Sequence, residues 1–269
     1  MPDTTDQARG AAGRLQDSRA LTVAARTGFA MNGLLHIVIG AIALGVASGD
    51  GGEADQGGAL GQFAQRPGGV ALLWTIVVGL GALGVFQLLE AALVRGTGKE
   101  AWATRAKEGG KGVAYLAVAS TALTFARGSS SDSSGQTQTL SARLLAAPGG
   151  VVVLVLVAVA IVAVGAYFVA KGVRQKFTDD LAVPSGAAGR GTVALGVTGY
   201  VAKGVALGVV GVLFAVAAVT ADPSEATGLD GALKALAGLP FGTVVLSAVA
   251  LGLMAYGLYC FVRARRARL

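Results

Sequence analysis

Apolar residues run along this chain in six blocks separated by polar connections: Phe29–Ala47, Val70–Val94, Gly112–Ala126, Val151–Ala170, Leu195–Ala221 and Val244–Val262. A helix needs about 20 mostly apolar residues to cross the hydrocarbon core of a bilayer, so each block reads as a span. The third is short and is expected to use Lys107 and Lys111 as snorkelling ends. About 25 polar residues precede the first block, and nothing there has the form of a cleaved signal. The pattern predicts an all-α membrane protein of six transmembrane helices. Residues 1–25 read as a disordered cytoplasmic tail and 265–269 as a basic C-terminal tail.

The six blocks are three copies of one unit. Pro67-Gly68-Gly69, Pro148-Gly149-Gly150 and Pro240-Phe241-Gly242 align as breaks, with Leu60, Leu140 and Leu233 seven or eight residues earlier. Seventeen residues after each proline stands a glycine, Gly84, Gly165 and Gly257, and two residues later an aromatic, Phe86, Tyr167 and Tyr259. The odd blocks open on Asn32-Gly33, Lys111-Gly112 and Lys203-Gly204, and 34, 36 and 36 residues separate these glycines from the prolines. Repeats at fixed spacing govern a fold. The units 26–95, 105–175 and 193–264 each predict helix, external loop, short amphipathic segment, Pro-Gly break and helix. The amphipathic segments are Gly58–Gln65, Leu140–Ala147 and Gly231–Gly238, expected at the outer interface, and the polar run Gly128–Thr139 is expected to be mobile. Units that cross twice share one orientation, so a pseudo-threefold axis along the membrane normal is expected.

Composition supports lipid as the solvent. The chain is 54% hydrophobic and 14% charged, with 42 glycines among 269 residues and few aromatics. Small residues let helix backbones approach closely in a membrane. The +7 net charge could suggest nucleic acid, but its distribution points to topology. Seventeen Lys and Arg fall in the N-terminal tail, the second and fourth connections and the C-terminal tail, against Arg66, Arg127, Arg143 and Lys234 on the other side. Cationic loops stay in the cytoplasm. Both termini are therefore expected on the cytoplasmic side, facing anionic lipid headgroups, with no nucleic-acid partner.

The opening Gly28-Phe29…Asn32-Gly33 and Gly199-Tyr200…Lys203-Gly204, the Pro-x-Gly breaks and the closing Gly-x-aromatic helices resemble a bacterial membrane family known as domain of unknown function 1206. The resemblance covers about residues 20 to 265; the middle copy lacks the Gly-aromatic opening. The resemblance implies the two-helix unit in triplicate and a bacterial cytoplasmic-membrane location, but no activity.

Candidate chemistry is sparse. Cys260 and His36 are the only residues of their kinds, which removes disulfides and most zinc or triad constellations. Gly79-Leu80-Gly81-Ala82-Leu83-Gly84 has the dinucleotide-fingerprint spacing, but inside an apolar helix it reads as packing. Gly204 and Gly208 invite the same reading, within or between chains. No cofactor or metal is expected, and no pair of catalytic groups can be assembled, so the chain reads as a non-enzyme. Polar residues recur at equivalent places: Asn32, Lys111 and Lys203 on the odd helices, Glu90, Lys171 and Arg263 on the even ones. Ionisable groups in a membrane face a bundle interior, a partner or water. Glu90 is expected either to pair with Lys111 or Lys203 or, the preferred reading, to reach cytoplasmic water while the lysines snorkel. His36, one turn from Asn32, reads as a hydrogen-bonded packing residue ahead of a proton relay.

Two function classes remain. The first is a structural or partner-binding membrane component, with a protein partner or a second copy. The alternative is a channel or transporter using a pathway between the repeats. The polar inventory of the spans is thin for a solute pathway, which favours the first.

Overall fold

The computed structural model describes residues 18–267. Among them are nine α-helices: α1 (Arg19–Ser48), α2 (Gln56–Ala64), α3 (Gly69–Leu93), α4 (Lys99–Ala126), α5 (Ser133–Ala146), α6 (Gly150–Val173), α7 (Gly186–Thr220), α8 (Gly228–Ala237) and α9 (Gly242–Arg266). Two 3-10 turns, at Lys176–Thr178 and Pro223–Glu225, and one antiparallel bridge between Leu181 and Ala267 accompany them. The fold is all-α. Five helices, α1, α3, α6, α7 and α9, are long and apolar enough to cross a membrane.

The remaining long helix corrects the reading of the third block. Gly112–Ala126 is only the apolar half of α4, which begins at Lys99 and runs for 28 residues, about 42 Å at 1.5 Å per residue. Lys, Glu, Arg and Ala are good helix formers, so the helix continues through Lys99–Lys111 where hydrophobicity stops. Two further expectations change for the same reason. Residues 19–25 are helical, with the Ser18 hydroxyl accepting the Leu21 N–H at 3.1 Å; residues 1–17 of the expected disordered tail lie outside the described residues. The C-terminal helix extends to Arg266, and residues 268–269 lie outside as well. The polar run also folds in part. Asp132 accepts the Gly135 N–H at 2.8 Å and starts α5 within it, as expected of an N-cap.

Each break proline, Pro67, Pro148 and Pro240, is followed by a left-handed residue: Gly68 (φ 78°), Gly149 (φ 76°) and Phe241 (φ 59°). The next residue, Gly69, Gly150 or Gly242, lies against carbonyls of the short helix just completed, where a Cβ would not fit. The Pro-Gly-Gly motif is thus a tight reversal from short helix to long helix. Only glycine adopts the left-handed region freely, and other residues there cost about 1–2 kcal/mol. Phe241 carries that strain while 85% exposed. Phe241→Gly is expected to stabilise the protein by about 0.5–1 kcal/mol, read as a higher thermal midpoint in detergent. An unchanged or lower midpoint would show that the Phe241 ring compensates through contacts outside the chain.

The long helices close into a nearly complete ring. Its tightest seams join the second long helix of one unit to the first of the next: α3 to α4, α6 to α7, and α9 back to α1. Within units, α1 packs on α3 and α7 on α9, whereas α4 and α6 form no packed seam. The short helices α2, α5 and α8 lie at one end and are tied together. Asp230 accepts the Ala54 N–H at 2.8 Å while pairing with Lys234 at 2.7 Å, and the Ser134 hydroxyl donates to the Thr227 carbonyl at 3.0 Å. Leu60 and Leu233 are fully buried there, but Leu140 is exposed, because α5 lies at the edge and buries only Ser141. The opposite end carries Arg19, Arg95, Lys99, Lys176 and Arg265 and is called the basic face below.

The interior divides into two halves. Towards the short helices it is apolar: Leu35, Ile39, Leu73, Ile76, Leu246 and Leu253 meet in one buried cluster, joined by Phe63 and Phe125. Towards the basic face the interior becomes aromatic and charged.

Candidate functional site: a polar compartment on the basic face

Spacing places the first components. Phe29, Asn32 and His36 lie three and four residues apart on α1, and Tyr256, Cys260 and Arg263 do so on α9, so each trio shares a helix face. The seam between Gly33 and Gly257 brings the faces together. The Asn32 amide donates to Cys260 Sγ at 3.5 Å, and His36 Nδ1 donates to the Asn32 carbonyl at 2.8 Å. The His36 ring lies 4.7 Å from that of Tyr256, and the Arg263 guanidinium stands 4.3 Å from the Phe29 ring centre.

α6 and α7 add the next wall. Lys203 Nζ is 4.5 Å from the Tyr256 ring centre and 5.4 Å from that of Phe168, cation–π distances. Tyr200 packs against Tyr256 and Tyr259 at 5.3 and 5.6 Å. Phe177 comes from the α6–α7 connection and stacks on Tyr200 at 5.3 Å, fully buried over Gly196, where no Cβ would fit. Beside it Lys171 pairs with Asp180 at 2.7 Å. Burial opposes ionisation of the Asp180 carboxyl, but the Lys171 ammonium outweighs it and holds that carboxyl below its ordinary value.

α3 and α4 complete the surroundings, and the ion pair offered as the alternative for Glu90 does not form. Glu90 pairs with neither Lys111 nor Lys203; its carboxylate accepts from the Gln87 amide at 2.7 Å. Lys111 is bound to Glu108, one turn earlier on its own helix, and Lys107 also reaches Glu108 at 3.0 Å. Glu108 carries no hydropathy signal, because the apolar block begins only at Gly112. Its signal was the spacing of Lys107, Glu108 and Lys111 on a helix that does not stop at the charges. A carboxylate bound to two ammonium groups in the same helix has a shorter path than one reaching across the bundle. Glu108→Gln is therefore expected to cost about 1–2 kcal/mol, since the ammonium groups are partly solvated, and Glu90→Gln less than about 1 kcal/mol. Thermal midpoints of the two variants check this, and a larger loss for Glu90→Gln would reverse the assignment.

Arg263 is the centre of the cluster. It is 9% exposed and within electrostatic reach of Glu90, Lys111, Lys171, Asp180 and Lys203. Among the described residues no carboxylate approaches Arg263 or Lys203 within 4.0 Å. Arg263 Nε, the Tyr259 hydroxyl and Gln87 Oε1 are buried without a hydrogen-bond partner. The sequence had placed Arg263 and Lys171 as equivalents of Glu90, but gave no means of seeing which cation keeps a partner. No three His, Cys, Asp or Glu side chains among the described residues gather as a metal site.

The six glycines marked by repeat spacing lie at three crossings. A Cβ on Gly84 would stand 3.0 Å from the Gly112 carbonyl oxygen, and one on Gly112 2.9 Å from that of Gly84. The same reciprocal approach joins Gly165 with Gly204, at 2.8 and 2.6 Å, and Gly257 with Gly33, at 2.5 and 2.6 Å. These are the seams between units. The fingerprint-like run divides between two of the contacts of α3, Gly79 meeting Gly28 and Gly84 meeting Gly112, and Gly204 and Gly208 pack on Gly165 within the chain.

A family model described as Domain of Unknown Function (DUF1206) matches three successive stretches, residues 27–93, 108–175 and 198–267. The chain belongs to this family. Each DUF1206 stretch takes in one unit of long helix, short helix and long helix, the second entering α4 at Glu108. A curated relative, the uncharacterized protein YxxB of Bacillus subtilis (strain 168), is 29% identical over 245 residues, 88% of each chain. No solved structure matches the chain.

Proposed function

We propose that this DUF1206 protein is a six-span protein of the bacterial cytoplasmic membrane, with the basic face inward. We read it as a non-catalytic structural or partner-binding component, its partner a protein or a second copy. The cyclic order of the three glycine seams supports a pseudo-threefold plan in which α4 is the sixth span. One observation carries the functional reading. The half of the interior nearest the short helices is filled by apolar side chains such as Leu35, Ile39, Leu73 and Ile76, all at most 1% exposed, so no polar path continues through it.

The polar compartment favours the alternative reading, a solute pathway closed in this conformation. Flux from vesicles separates the two. Proteoliposomes loaded with potassium phosphate or potassium chloride are expected to hold both salts as long as protein-free vesicles do. Release that scales with protein and falls in Lys203→Met would establish the pathway instead.

A further inference from the structure

We propose that the compartment on the basic face binds one anionic group, a phosphate or a carboxylate, on Arg263 and Lys203, entering between α4 and α6. This goes beyond the reading above, because a static binding site needs no flux.

The first ground is charge. Three other cations near the compartment are matched, since Lys107 and Lys111 hold Glu108 and Lys171 holds Asp180, while half-buried Arg26 donates only to the Arg265 carbonyl at 3.4 Å. Arg263 and Lys203 have only ring faces, those of Phe29, Tyr256 and Phe168. Buried charge without a counter-charge is strongly unfavourable; that applies in full to Arg263, 9% exposed, and in part to half-buried Lys203. A guanidinium offers a planar fork that fits phosphate and carboxylate oxygens, and an ammonium adds a point charge beside it.

The second ground is hydrogen bonding. Buried polar groups without partners call for an explanation, such as a ligand. Here Arg263 Nε and the Tyr259 hydroxyl offer protons, and Gln87 Oε1 needs one. Donors suit the oxyanion. The lone acceptor suits a hydroxyl on the same molecule, such as that of a glycerol-phosphate headgroup.

The third ground is access. Every other pair of neighbouring long helices in the ring packs together, whereas α4 and α6 do not. Tyr167 on α6 is 46% exposed, and Lys111 on α4 and Lys171 on α6 are half-buried. A lipid could place its headgroup inside while its chains remain in the bilayer. A free anion would enter from the basic face and use the same cations.

The test uses the full chain purified in an uncharged detergent, with phosphatidylglycerol, inorganic phosphate or phosphatidylcholine added during thermal unfolding. Phosphatidylglycerol or inorganic phosphate is expected to raise the midpoint by about 4 °C or more near saturation, and phosphatidylcholine to leave it unchanged. A response to phosphatidylglycerol alone assigns the site to a lipid headgroup, and a response to inorganic phosphate alone assigns it to a water-borne anion. Arg263→Met and Lys203→Met should lose the response yet melt no lower than the parent without ligand, since the first removes an unmatched buried charge and the second an unmatched half-buried one. Arg66→Gln, on the short-helix face, should respond like the parent. No response to either anion, a response that survives in both methionine variants, or an unliganded midpoint that falls sharply in them overturns the proposal. Native mass spectrometry of the parent decides independently of the variants. A retained phosphatidylglycerol or phosphate supports the site, and the bare chain alone under both additions refutes it.

Discussion

Gly84→Leu is expected to remove most of the folded protein from the membrane, while Gly81→Leu, three residues earlier in the same helix, leaves it intact. A Cβ at Gly84 would stand 3.0 Å from the Gly112 carbonyl oxygen and 2.8 Å from Leu116 Cγ, whereas one at Gly81 meets nothing within 4 Å. Overpacking a tight contact costs about 1–3 kcal/mol or more. The obstacle here includes backbone, which cannot turn aside as a side chain can, so the upper end applies. Leucine also restores about 0.8 kcal/mol of helix propensity relative to glycine, which makes Gly81→Leu neutral to mildly favourable. Gly165→Leu and Gly257→Leu should behave like Gly84→Leu, because each closes an equivalent seam. Monodisperse yield on size exclusion after detergent extraction reads the difference. Equal yields for Gly81→Leu and Gly84→Leu would mean that the crossing tolerates separation.

Phe177→Ala is expected to cost about 3–5 kcal/mol, the usual range for truncating a buried phenylalanine. The ring is fully buried, stacked on Tyr200 and edge-on to Tyr259 at 5.3 Å each, with Gly196 beneath it. Unlike the crossings in lipid, this contact lies at the basic face, where water drives the ring inward. The loop is held at two further points, by Lys171 on Asp180 and by the Ala182 N–H donating to the Arg266 carbonyl at 3.0 Å. The loss should therefore appear as local opening of residues 174–185 as well as a lower midpoint. Hydrogen exchange measures that opening. Unchanged protection of this connection in Phe177→Ala would show that those polar ties alone keep it closed.

Elements with a fixed period were legible in the sequence, and elements set by tertiary contacts were not. The all-α class and the family follow from long apolar blocks and from landmarks repeated at set distances, since one backbone geometry needs the same residue at the same place. Gly68 and Gly149 stand where the reversal needs a left-handed residue, and their spacing exposed them. The start of α4 was hidden, because hydropathy marks contact with lipid whereas helix formation depends on backbone propensity, and Lys99–Lys111 is polar but helix-forming. Glu90 shows the same limit within the site. Its position beside two lysines on neighbouring units suggested a pair, but ion pairing is decided by a few ångströms, and Glu108 is nearer to Lys111. Phe177 gave no periodic signal at all, because a single ring from a connection is recognised only by the pocket it fills.

The six-span plan rests on α4, the one long helix whose composition alone does not mark it as a span. Thr97 precedes this helix and Ser130 follows it, and both are exposed. Single cysteines at these positions, in a Cys260→Ala background, can be treated on intact cells with a membrane-impermeant maleimide and again after permeabilisation. The account predicts that Ser130→Cys labels on intact cells and Thr97→Cys only after permeabilisation. Labelling of both from the same side would leave α4 on one surface of the bilayer and contradict the three-unit ring.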